Sequence, residues 1–196
     1  MREDGASPAP ARRWPPLTVT RTALLAHGTD ERFRALIDDL LVMADQLQRL
    51  RHLLARGLGV SEPQYRLFLA IAQLQGARGV SVGRAARQLR VSGAFVTMEV
   101  RELVRRGLVG KCADPGDGRA VLLSLTPKGR AAFERFAPQP QRINDALFRD
   151  LTSGEFRALG SLVRRLVANG ERALEMAVAT DNNGQRGARR VRSDHA

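Results

Sequence analysis

Residues 81–129 constrain the fold more than any other stretch of the chain. Ser81 stands before VGRAARQL, in which Val82, Ala85, Ala86 and Leu89 recur at three- and four-residue steps, the spacing of one buried helix face. Arg90-Val91 make a turn. Ser92 then precedes GAFVTMEVRELVRR, with Val96, Val100, Leu103 and Val104 as an inward stripe and Gly107 beyond its end. A hydroxyl in front of each apolar period is an N-cap, because its oxygen accepts a hydrogen bond from an otherwise unpartnered N–H of the first turn. Gly after the last turn is a common stop. Two β-type runs, 108–113 and 120–125, flank Asp114-Pro115-Gly116-Asp117-Gly118, a cluster suited to a tight hairpin. Thr126-Pro127 begins another helix, with Pro at the first helical position. The order helix, turn, helix, hairpin, helix predicts a mainly α fold with a small β wing. Such a unit suits duplex DNA, since a helix fits the major groove and a hairpin bearing Arg reaches phosphate or the minor groove.

Charge agrees with that reading. The chain of 196 residues is 43% apolar and carries 32 Lys+Arg against 20 Asp+Glu, a net +12. That excess favours a polyanion, either nucleic acid or an anionic membrane. Between Gly76 and Arg130 there are eleven basic residues and four acidic ones, so this window holds +7 of the total. The excess therefore coincides with the helix-turn-helix pattern, which favours nucleic acid. Cys112 is the only cysteine, so no intramolecular disulfide forms, as suits a reducing compartment. The first residues lack the apolar core of a signal peptide, and no apolar run approaches the ~18 residues that span a bilayer. A cytoplasmic location with no membrane association is expected.

The flanks divide the chain further. Residues 1–28, rich in Pro, Ala and Arg, are expected to be a disordered arm. From a cap at Thr29 or Asp30, the positions Phe33, Leu36, Ile37, Leu40, Ala44, Leu47, Leu50 and Leu54 mark a long amphipathic helix over 29–60 that ends near Gly57-Leu58-Gly59. Ser61 and Gln64 form a capping box with Val60 and Tyr65 as its hydrophobic staple, opening a helix from Glu62 to about Leu74 and the winged helix-turn-helix domain, 61–130. Helices follow over 131–179, interrupted at Pro138 and Pro140 and restarted by a Thr152/Glu155 capping box. Residues 180–196 are expected to be a disordered basic tail. The apolar stripes of the first and last long helices exceed what a domain this small can cover, and pairing with a second copy as a homodimer accounts for them. Packing within one chain is the alternative.

SVGRAARQLRVSGAFVTMEVRELVRRGLVGKCADPGDGRAVLLSLTPKGRAAF resembles the helix-turn-helix, wing and following helix of the MarR family of bacterial transcriptional regulators, in order and without gaps. DPGDGR followed by LTPKG is the most diagnostic piece, and the resemblance extends over about residues 33–178. It implies a homodimer that binds an inverted-repeat operator in double-stranded DNA, usually as a repressor, often in response to a small aromatic or lipophilic effector. In the family's pattern Arg119 corresponds to the wing-tip arginine that enters the minor groove, and Asp117 to its acidic partner. Gly118 and Met98 stand where relatives often have basic residues.

On the second helix of the motif, Ala94, Thr97, Met98 and Arg101 lie away from the buried stripe. The first three should sit deepest in the groove, and Arg101 should meet a base edge or a phosphate. Ser92 and Gly93 lie at the helix start, where free N–H groups favour a phosphate. Met98 cannot make arginine's paired hydrogen bonds to guanine, so readout shifts toward thymine methyls or DNA shape. Phe95 is expected to pack on the preceding helix. Arg84, Arg87, Lys111 and Lys128 are candidate phosphate contacts. The plain alternatives are a simple cap at Ser92, idle surface at Thr97 and Met98, and an ordinary surface ion pair between Asp117 and Arg119, worth ~0–1 kcal/mol.

In the resembling family an effector pocket lies between the dimer helices and the winged helix. Arg51, His52, Tyr65 and Phe68 fall near that junction and are candidate ligand contacts, with half-buried structural residues as the alternative. Cys112 reads as a small buried residue rather than an oxidant sensor. The three histidines have no metal-ligand spacing with it. No motif calls for a cofactor, and none of the common catalytic signatures is present. Two other functions compete: a sequence-neutral architectural DNA-binding protein and a winged helix used for protein docking.

Overall fold

The computed structural model describes residues 14–114 and 116–193, with the side chains of 117–119 and 182–193 outside that description. The elements run α1 (Glu31–Leu58), α2 (Glu62–Leu74), β1 (Val80–Ser81), α3 (Val82–Leu89), α4 (Gly93–Arg105), β2 (Val109–Asp114), β3 (Asp117–Leu125), α5 (Pro127–Phe136), α6 (Pro138–Phe148) and α7 (Ser153–Ser193). Two units divide at Pro140/Gln141, ten residues beyond the boundary drawn from sequence. The end of α1 belongs to the first unit's core, where Leu54 and Ala55 are buried, and does not form a region of its own.

Local chemistry sets the helix starts. The Ser61 hydroxyl accepts from the Gln64 N–H at 3.3 Å while Gln64 Oε1 accepts from the Ser61 N–H at 3.1 Å. Ser81 caps the Arg84 N–H, Ser92 the Phe95 N–H and Thr126 the Gly129 N–H, at 3.3, 3.1 and 3.0 Å. Each cap satisfies one of the orphan donors of a first helical turn. Gly59 in the left-handed region, φ 75°, ends α1. Arg90, φ 55°, ends α3 in the same way.

Around these starts the core assembles from Leu67, Phe68 and Ile71 of α2, Val96, Val100 and Leu103 of α4, and Val80, Val109 and Leu123 of the sheet, all fully buried. The strands are antiparallel in the order β1-β3-β2. Val80 pairs with Leu123 and Lys111 also faces Leu123 from the other side. β1 is only two residues long and carries no sequence signal of its own. It exists because Gly79, at φ 102°, lets the chain pass against β3, where a Cβ would sit 3.1 Å from the Leu123 carbonyl oxygen.

Both ends of the chain carry more structure than composition predicts. Residues 1–13 lie outside the described residues, but 14–30 are held in place. The Thr18 N–H and hydroxyl donate to Asp30 Oδ2 at 2.7 and 2.6 Å, and Arg34 Nη2 donates to Asp30 Oδ1 at 2.8 Å. Asp30 sits at the N-cap position of α1 yet makes no capping bond, its carboxylate being committed to these partners. Arg34 and then Thr18 hold the buried Asp30 carboxyl well below the usual range. At the other end α7 continues to Ser193 where an unstructured tail is expected. No proline interrupts it, and each residue added to an existing helix gains a hydrogen bond without a new nucleation cost. Ala137 alone separates α5 from α6. In the second unit Phe148 and Phe156 meet edge to face at 5.7 Å.

Candidate nucleic-acid interface

One outward face of α4 collects the side chains expected to read DNA. Ser92 and Gly93 are exposed at its start, and Ala94, Thr97, Met98 and Arg101 are exposed opposite the buried Val96, Val100 and Leu103. The Thr97 hydroxyl donates back to the Gly93 carbonyl at 2.9 Å. Phe95 is half-buried. Glu99, the acid beside this face, is reached by Gln64 Nε2 of α2 at 3.4 Å.

The far end of α4 is clamped. Arg105 donates to Glu102 through Nε and Nη2, both at 2.6 Å, and Arg106 Nε adds a third bond at 2.7 Å. With Arg105 and then Arg106 donating to it, the Glu102 carboxyl is lowered from 4.5 to about 2. Arg106 Nη1 also donates to the carbonyl of Gly59, at the end of α1. Lys128 Nζ donates to the Arg106 carbonyl at 2.8 Å. Lys128, a phosphate candidate from sequence, is thus occupied with the C-terminus of α4. The Glu102/Arg106 spacing of four residues on a helix is a readable signal, but the tie to Gly59 is not, because 47 residues separate the partners.

Arg84 and Arg87 are exposed on α3, and Lys111 is exposed on β2. All three stand on the winged helix as expected. At the wing, the register shifts between Ala113 and Asp114, and Asp114 Oδ1 accepts from the Gly116 N–H at 2.9 Å. The side chains of Asp117 and Arg119 lie outside the described residues; their backbone opens β3. Cys112 is exposed, not buried, because it lies on the part of β2 that reaches beyond the core.

This arrangement has counterparts among known proteins. The MarR family model matches residues 49–120, from late α1 into β3. The HTH-type transcriptional repressor NicR of Pseudomonas putida is 28% identical over 106 residues, 54% of this chain and 67% of that protein. Among solved structures, a mutant MarR from E. coli complexed with operator DNA superposes with a TM-score of 0.55 at 25% identity, covering 66% of this chain and 92% of that one. Over residues 49–120 the chain is similar to the MarR family of transcriptional regulators. It is a DNA-binding transcriptional regulator that resembles that family. A further solved structure, the PcaV transcriptional regulator of Streptomyces coelicolor in complex with its natural ligand, has a TM-score of 0.52 at 28% identity over 64% of this chain and 89% of that one.

Of the residues singled out as candidate ligand contacts, Tyr65 and Phe68 are buried, Arg51 is half-buried and His52 is exposed. Tyr65 and Phe68 are buried in the first unit, Tyr65 edge-on to Phe136 at 5.8 Å and Phe68 tilted against Phe133 at 6.0 Å. Burial pushes the Tyr65 phenol up. Arg51 pairs with Glu62 at 3.3 Å, and His52 borders an open hollow with Asp45, Gln48 and Leu53. The helical period correctly put Tyr65 and Phe68 on an apolar face; it could not tell a core face from a pocket wall. Among the described residues, no helix is long and apolar enough to cross a membrane.

Proposed function

We propose that the protein acts as a homodimeric, sequence-specific repressor on an inverted-repeat operator. The observation that carries this is the exposed face of α4, with Ala94, Thr97, Met98 and Arg101 opposite a fully buried stripe, within residues 76–130, which hold eleven basic residues against four acidic ones. The homodimer is supported by the apolar side chains that α1 and α7 each leave exposed. Repression is supported by the name of the NicR relative. An aromatic or lipophilic effector is a second reading, favoured by the ligand-bound PcaV structure.

Footprinting on DNA upstream of the protein's own gene tests the proposal. The expected result is protection of two half-sites, roughly one helical turn or a multiple of it apart. A sequence-neutral architectural protein binds random DNA equally well, and a protein-docking module protects nothing. Log affinity should fall steeply with log salt, by about 0.9 for each neutralised phosphate. Weakened protection with an aromatic acid would support the effector reading.

A further inference from the structure

We infer that the reading face of α4 recognises its half-site through the C5 methyl groups of pyrimidines, and that Met98 is the principal specificity-determining residue. The inference rests on the reading that α4 enters the major groove. In that docking the N-terminal turns of the helix approach the base edges, so the side chains that matter are the exposed ones from Ser92 to Met98.

Their hydrogen-bonding capacity is unusually small. Gly93 has no side chain and Ala94 offers only a methyl. The Thr97 hydroxyl spends its single proton on the Gly93 carbonyl at 2.9 Å, which leaves its methyl and an acceptor lone pair for a partner. Met98 is 55% exposed and its thioether has no proton to donate. Glu99 is engaged from α2 by Gln64. The Ser92 oxygen accepts from the Phe95 N–H at the cap. From Ser92 to Met98 the helix therefore lacks the paired donors that read guanine O6 and N7, and the donor–acceptor pair that reads adenine.

Arg101, the nearest exposed cation on α4, lies seven residues beyond Ala94, roughly 10 Å further along the axis. That distance suits the phosphate edge of the groove better than its floor. Three apolar groups, those of Ala94, Thr97 and Met98, thus stand together where bases must be read. The apolar feature that the major groove displays is the thymine methyl. A cytosine methylated at C5 presents the same group in the same place, so methylated cytosine is expected to substitute for thymine at the contacted step.

The test uses the full-length chain. A duplex enriched by it from a random pool is labelled and titrated by fluorescence anisotropy, with each thymine replaced in turn by deoxyuridine, which removes only the methyl. One or two thymines per half-site should each lose about three- to fivefold in affinity, the effect of one buried methyl. Met98→Ala should bind more weakly and become indifferent to uracil at one of those positions. A 5-methylcytosine there should bind more tightly than cytosine. If every uracil duplex binds like its parent, or if Met98→Ala keeps the full uracil response, the methyl-reading inference is wrong while the operator reading stands. Failure to enrich any sequence, with equal binding to random DNA, removes the operator reading and this inference with it.

Discussion

Gly129 shows how one residue in a motif is fixed by packing. A Cβ at this position would overlap the carbonyl oxygen of Leu108, a backbone atom that cannot rotate away. The same carbonyl accepts the Thr126 N–H at 3.1 Å, and the Thr126 hydroxyl donates to the Gly107 carbonyl at 2.6 Å. Thr126 and Gly129 together thus seat α5 on the start of the hairpin. Gly129→Ala should cost about 1–3 kcal/mol or more, as an overpacked core site does, seen as a lower urea midpoint with unchanged slope. An unaltered midpoint would mean that α5 sits further from Leu108. At the wing, Arg119→Ala should weaken operator binding by roughly 1–3 kcal/mol, the worth of one specific groove contact. A gel-shift titration showing equal affinity would take Arg119 out of recognition.

At the scale of the element, α4 is held at both ends by different means. Its N-terminus relies on the Ser92 cap, whereas its C-terminus is tied through Glu102, Arg106 and Gly59 to the end of α1. This makes the acid side of the stability profile informative. A carboxyl lowered from 4.5 to about 2 in the folded state contributes stability that is fully present above the unfolded value. That contribution is lost as pH falls through the folded one. Glu102→Gln should therefore be less stable than the parent near neutrality, and the gap should close between about pH 4.5 and pH 2. Asp30, lowered by Arg34 and Thr18, leaves both proteins a shared acid-labile component. Urea midpoints measured across that range would decide it; a gap that stays constant with pH would show that the clamp contributes packing and not charge.

Across the whole molecule, long rows of apolar side chains lie uncovered in the single chain. Leu36, Ile37, Leu40 and Leu47 of α1 are exposed in one unit, and Leu159, Leu162, Val163 and Leu166 of α7 in the other. Stripes of this length mark an interaction surface, and a self-complementary pair of copies is the commonest solution. Leu40→Asp or Leu166→Asp should give folded monomers in sedimentation experiments, because neither side chain belongs to the buried core. Operator affinity should fall sharply. The salt slope should drop by about half, since each protomer brings its own phosphate contacts. A dimer that survives both substitutions would place the interface elsewhere.

The sequence alone determined what depends on neighbours along the chain. The limits of α2 and α3, the caps at Ser61, Ser81, Ser92 and Thr126, the hairpin at 114–118 and the outward face of α4 follow from hydrogen bonds and periods spanning a few residues. Tertiary structure decided the rest, because its partners are far apart in sequence. β1 needs the edge of β3, residues 14–30 need the Asp30 carboxylate, and Lys128 needs the last turn of α4. Tyr65 and Phe68 became core when Phe136 and Phe133 packed against them. An apolar period states that a face will be covered; only the assembled chain supplies the groups that cover it.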